Sequence, residues 1–108
     1  MKAKEPVSHT LLKKHLEELG LAYETEVQVC LDRKYRWDFT LPEHRIAIEV
    51  CGGFYRGQSG HSSITGLQRD YDKRNVGTML GWRILTFSTA DVLRGRAKKF
   101  IQENVGKG

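Results

Sequence analysis

Tyr35-Arg36-Trp37-Asp38-Phe39-Thr40-Leu41 and Ile46-Ala47-Ile48-Glu49-Val50-Cys51 are two runs of alternating character, linked by the short turn Pro42-Glu43-His44. Period-two alternation over this length predicts strands, and so short a link predicts that they pair antiparallel. Strand parity sends Tyr35, Trp37, Phe39 and Leu41 to one face and Arg36, Asp38 and Thr40 to the other. In the second run Glu49 shares its face with the small residues Ala47 and Cys51. Pairing about Pro42 then brings Asp38 and Glu49 close together.

Working outward, Val27, Val29 and Leu31 alternate with polar residues and predict an earlier strand, joined to the first run by Asp32-Arg33-Lys34. Before it, Leu11, Leu12, His15, Leu16 and Leu19 share one side of a helix from Ser8 to Leu19, with Ser8 as N-cap and Gly20 as stop. After Cys51, a loop rich in Gly and Ser runs from Gly52 to Ser63 and carries Phe54, Tyr55, Arg56 and His61, a composition suited to a functional element. A helix is predicted from Ser63 to Leu80, then a strand from Trp82 to Phe87, then a helix from Thr89 with Asp91 in its first turn. The order α-β-β-β-α-β-α describes an α/β fold with a single mixed sheet flanked by helices. Residues 1–7 are expected to form a flexible lead and residues 8–104 one domain.

At 108 residues the chain has the length of one domain. No apolar run approaches the ~20 residues that span a bilayer, and the N-terminus lacks the apolar stretch of a secretory signal, so a cytoplasmic protein with no membrane role is expected. Cys30 and Cys51 are too few and too scattered for a disulfide framework or a zinc cluster. A formal charge of +5 favours a polyanionic partner, because each phosphate neutralised by Lys or Arg releases counterions.

Two carboxylates crowded on a half-buried sheet face repel each other, and each is pushed towards protonation unless a cation joins them. Mg²⁺ is the natural cation, because it takes oxygen ligands and retains water, and it supplies what phosphodiester cleavage needs. The alternative is that Asp38 and Glu49 each pair with an arginine across the sheet, Arg36 or Arg45. On the following helix Gly66, Asp70, Lys73 and Gly77 form one stripe, in which the glycines allow close approach. If that stripe faces the carboxylates, Lys73 orients water or phosphate and Asp70 holds Lys73; otherwise the two form a solvent pair. A second stripe, Ile64, Leu67, Tyr71 and Thr78, competes for the buried side. His61 suits acid–base chemistry near neutral pH. Phe54, Tyr55 and Arg56 suit stacking on bases or, equally, pinning of their own loop. His15 reads as structural, Cys51 as a small buried strand residue, and Glu17 and Glu18 as weak candidates for a helix-borne acid.

Arg36-Trp37-Asp38-Phe39, Ile48-Glu49-Val50-Cys51-Gly52-Gly53, His61, the Asp70-x-x-Lys73-x-Asn75 helix and Gly81-Trp82-Arg83-Ile84-Leu85 together resemble the PD-(D/E)xK nuclease superfamily. The resemblance is to its very-short-patch-repair-like and Holliday-junction-resolvase-like small members, and it spans about Arg36 to Val92. It implies a restriction-endonuclease-like core and a Mg²⁺-dependent DNA endonuclease, with Mn²⁺ able to substitute. Asp38, Glu49 and Val50 would be the metal ligands, Lys73 and His61 would join the acids in catalysis, and Arg36, Phe54, Tyr55, Arg56, Asp70 and Asn75 would contact nucleic acid. It also implies action in recombination or repair in a bacterial or phage-infected cell. A homodimer cutting branched DNA such as Holliday junctions is the expected specialisation, with a mismatch-nicking enzyme or a non-catalytic DNA-binding module as alternatives. One position departs from the superfamily pattern: Cys51 stands where a lysine is usual, and Lys73 is the candidate to replace it.

Overall fold

The structure, a computed structural model, describes residues 5–28, 35–52 and 64–105. Helix α1 (Val7–Glu18) is followed by strands β1 (Glu24–Gln28) and β2 (Arg36–Leu41), a 3₁₀ turn (Pro42–His44) and strand β3 (Ile46–Cys51). Helix α2 (Ile64–Met79), strand β4 (Arg83–Ser88) and helices α3 (Thr89–Leu93) and α4 (Arg96–Asn104) complete it. The strands form one mixed sheet in the order β1-β2-β3-β4, antiparallel across the first two pairings and parallel between β3 and β4. This is the α/β architecture that the alternation predicts, with α2 as the crossover that a parallel pair requires. No described helix is long and apolar enough to cross a membrane.

The two sheet faces are covered differently. Phe39, Leu41, Ile46, Ile48 and Phe87 pack with Leu12 and Leu16 of α1, Val92 of α3 and Ala97 and Ile101 of α4 into the apolar core. Each fully buried side chain of this size contributes about 1.5–3 kcal/mol. The opposite face, carrying Glu49, Ile84 and Thr86, receives α2.

Several expectations are revised. The N-cap of α1 is Pro6, not Ser8: the Pro6 carbonyl accepts from the His9 and Thr10 amides, and Ser8 lies buried inside the helix. Proline's fixed φ and its lack of an N–H suit the start of a helix, where no donor is needed. Within residues 5–7, Glu5 accepts from Thr10 and Lys13 of α1. The terminal helix is two helices separated by Gly95 at φ 79°, a left-handed conformation that glycine adopts without penalty. Ser88 and Asp91 close a capping box at the start of α3. On α2, Leu67, Tyr71 and Thr78 face solvent, so that stripe does not take the buried side.

Parity also fails at one place in β2. Phe39 meets the rings of His9 and Tyr23 on the α1 face, whereas Trp37, two residues earlier, lies under Gly77 and Lys73 of α2. The strand is locally irregular. Between the paired rows Thr25–Phe39 and Val27–Trp37, Glu26 takes φ 56°, and the β2–β3 ladder reaches no further than Phe39–Ile48. Val29 and Leu31, expected in β1, lie outside the described residues.

His15 yields a pH-dependent prediction. Burial, and secondarily the charge of Lys98, lower its pKa below the ordinary 6.5, and its buried Nδ1 has no hydrogen-bond partner among the described residues. As pH falls below 6.5 the unfolded chain takes up this proton before the folded one, so stability decreases with acidity until the folded imidazole also protonates. His15→Gln should show a smaller drop in Tm than the parent between pH 7 and pH 5, measured by thermal denaturation monitored by circular dichroism.

Candidate active site

Asp38 and Glu49 meet where the β2–β3 ladder gives way. In place of a further backbone rung, the Asp38 amide donates to Glu49 Oε2 at 3.3 Å and the Val50 amide donates to Asp38 Oδ2 at 2.8 Å. Each carboxylate thus satisfies a backbone donor of the other's strand, which holds both side chains at the junction. Neither pairs with Arg36 or Arg45. Arg36 is exposed at the start of β2, and the Arg45 guanidinium lies over the Trp82 ring at 4.5 Å and donates to the Leu80 carbonyl.

Lys73 comes from α2 to this same point. Its Nζ donates to Glu49 Oε2 at 2.9 Å and lies 4.6 Å from the centre of the Trp37 ring, whose π face attracts a cation. The close approach depends on Gly77, one turn further along α2: a Cβ there would fall 2.7 Å from Trp37 Cζ2 and 3.2 Å from Ile84 Cδ1. Burial pushes Glu49 above the usual carboxylate range and the nearby Asp38 adds to this, while the bond and charge of Lys73 pull it back. Lys73 therefore favours the ionised form of a carboxylate whose burial disfavours charge.

Glu49 and Lys73, with Trp37, Cys51, Asp70 and Arg74, line an open pocket, and Asp38 is not among its lining residues. Among the described residues no hydrogen bond or ion pair ties Asp70 to Lys73, so the lysine is held by Glu49 and Trp37, not by Asp70. Cys51 is exposed at the pocket and not buried, because β3 has reached its end there. Partial loss of water, with Glu49 and Asp70 near, raises its thiol pKa, so the sulfur is a neutral thiol at neutral pH and a poor ligand for a hard cation. Asn75 is exposed on α2. Glu17 and Glu18 are engaged elsewhere, by the Tyr23 hydroxyl and by Lys98. His61, Phe54, Tyr55 and Arg56 lie outside the described residues.

Two neighbours of the site were not singled out by sequence. His9 of α1 brings Nε2 to 3.8 Å from Asp38 Oδ2, its ring edge-on to Phe39. Arg74 lies beside Lys73 and donates to Thr86 Oγ1. His9 stands three residues before Leu12 on the side of α1 that the leucines mark as buried, a spacing that could have singled it out. Arg74 carries no pattern that sets it apart from other surface arginines.

The donor set fits a hard divalent cation. Asp38 and Glu49 offer only oxygen, their described hydrogen bonds fall on Oδ2 and Oε2, and Mg²⁺ needs no more than one or two carboxylates with water and substrate phosphate. No group of three His, Cys, Asp or Glu side chains that could enclose a metal occurs among the described residues.

No protein-family model matches the chain, and comparison with curated protein sequences returns no match. Among solved structures, the catalytic domain of the homing endonuclease I-Bth0305I is similar, with a TM-score of 0.69 and 23% identity over 92% of this chain and 93% of that one. The α/β core of this chain is thus one that a nuclease domain also uses.

The packing about Gly77 is testable by Gly77→Ala. On an open helix surface this change would stabilise by ~1 kcal/mol. Here the methyl group meets a fully buried Trp37, and overpacking costs about 1–3 kcal/mol. Chemical denaturation should show a net loss of stability.

Proposed function

We propose that this protein is a divalent-metal-dependent DNA endonuclease whose active centre is the Asp38–Glu49–Lys73 cluster. The observation that carries the reading is the meeting of two carboxylates and an ammonium at one irregular strand junction. Two oxygen donors and one ammonium converge, with Glu49 and Lys73 lining an open pocket, on a core similar to that of an endonuclease domain.

Hydrolysis joins a water oxygen to phosphorus, breaks one P–O ester bond and delivers a proton to the leaving oxygen. Asp38 and Glu49, with the Val50 carbonyl, would hold Mg²⁺ or Mn²⁺. Bound there, the cation polarises the scissile phosphate and lowers the pKa of the attacking water. Lys73 favours the ionised form of Glu49 and adds positive charge next to the phosphate, the part that the resemblance gives to a lysine at position 51. His61 is assigned proton transfer to the leaving group. Arg36, Asp70, Asn75 and the Phe54-Tyr55-Arg56 segment are assigned to the DNA surface. A homodimer acting on branched DNA is the favoured specialisation, because paired cuts at a junction call for two active sites related by symmetry.

The test is incubation with linear, mismatched and four-way-junction DNA, with and without Mg²⁺ or Mn²⁺. Metal-dependent cleavage, fastest on the junction, is expected. Asp38→Asn and Glu49→Gln should abolish it, and Lys73→Ala should slow it by about 10²–10⁴-fold. Cleavage at parental rates by folded Asp38→Asn and Glu49→Gln variants would sink the assignment. Preference for the mismatched duplex would replace junction selectivity with mismatch nicking. Metal-indifferent DNA binding without any cut would identify a binding module.

A further inference from the structure

Lys73 and Arg74 are consecutive on α2, and their partners are adjacent on the sheet. Lys73 reaches Glu49 of β3, Arg74 donates to Thr86 Oγ1 of β4 at 2.8 Å, and Glu49 and Thr86 are register partners in the parallel β3–β4 pair. Two cations are therefore set side by side over the same row of the sheet, about 4.8 Å apart at their strand anchors.

Their electrostatic situations differ. The charge of Lys73 is met by a carboxylate and an aromatic face. Among the described residues Arg74 has no carboxylate partner: its bond is to a neutral hydroxyl, which uses one of the five donors of the guanidinium and none of its charge. It also lines the pocket that holds Glu49 and Lys73. Two basic residues of α4 do have carboxylate partners, Arg96 in Asp91 and Lys98 in Glu18.

We propose that Arg74, braced by Thr86, binds a backbone phosphate of the DNA strand in the pocket, a role that rests on the nuclease reading and assigns its substrate-positioning residue. Lys73 remains on Glu49 while Arg74 receives the phosphate. A planar guanidinium with a neutral brace is suited to this task, since it grips two phosphate oxygens at once and loses little freedom in doing so.

The experiment is equilibrium binding of labelled duplex DNA in EDTA, where no cleavage is expected, followed by fluorescence anisotropy over a series of KCl concentrations. The parent is compared with Arg74→Gln, Arg74→Lys, Thr86→Val and, as a charge-removing control on α1, Lys14→Ala. Thermal denaturation confirms that each variant is folded. Arg74→Gln keeps a side chain able to bond Thr86 but has no charge. It should bind more weakly on every sequence and reduce the slope of log K against log [KCl] by about 0.9, the contribution of one duplex phosphate. Arg74→Lys should retain the parental slope, Thr86→Val should retain the slope with weaker binding, and Lys14→Ala should leave both unchanged. A parental slope in folded Arg74→Gln would overturn the proposal while leaving the nuclease reading intact. Failure of the parent itself to bind any DNA would overturn both.

Discussion

The site depends on a carboxylate that its own strand disfavours. Glu49 stands in Ile46-Ala47-Ile48-Glu49-Val50, where loss of water penalises its charge, and the Lys73 ammonium at 2.9 Å compensates. A charge-assisted bond in a partly desolvated setting is stronger than a surface pair, and removal of either partner leaves the other exposed to the cost of burial. The pairing needs α2 to lie close to the sheet. That approach rests on Gly77 over the Trp37 ring, and the ring in turn reaches α2 because β2 breaks its alternation at Asp38. Backbone irregularity, aromatic placement, helix position and ion pair are thus links in one physical chain.

The sheet divides labour between its faces. One side is hydrocarbon, sealed by α1, α3 and α4 around Phe39, Leu41, Ile46 and Ile48. The other is polar near the end of β3, where α2 supplies cations in place of apolar side chains. A rigid core on one face fixes the strands from which Asp38, Glu49 and Thr86 project, which is how a small domain holds charged groups in a defined arrangement. The ladder stops at the two acids: the backbone donors of Asp38 and Val50 are given to carboxylates, and the strands keep their satisfied amides without a further rung.

Much of this was legible in residue patterns. Strands β2, β3 and β4 and helix α2 follow from alternation, turn residues and helix length, and an acid inside Ile-Ala-Ile-Glu-Val marks its own position as costly. The stripe Gly66, Asp70, Lys73 and Gly77 was one of two that competed for the sheet, and the structure brings Lys73 and Gly77 to it. Other features had no local signal. Trp37 and Phe39 are equivalent to any period-two rule, yet they face opposite layers. Cys51 has the character of a core residue, yet it lies beyond the edge of the packing. His9, near Asp38 in space, is separated from it by the whole of β1.

By itself, then, the sequence determined the order of helices and strands, the pairing of Asp38 with Glu49 and the basic character of the surface, because these depend on periodicity, short turns and composition, which act over a few residues. The tertiary structure decided which cation reaches which acid. Lys73 rather than Arg36 or Arg45 neutralises Glu49, and Arg74 comes to rest on Thr86, because those contacts depend on where a helix from later in the chain crosses the sheet. That crossing is set by the shape of Trp37 against Gly77, a packing constraint between residues forty positions apart that no local pattern encodes.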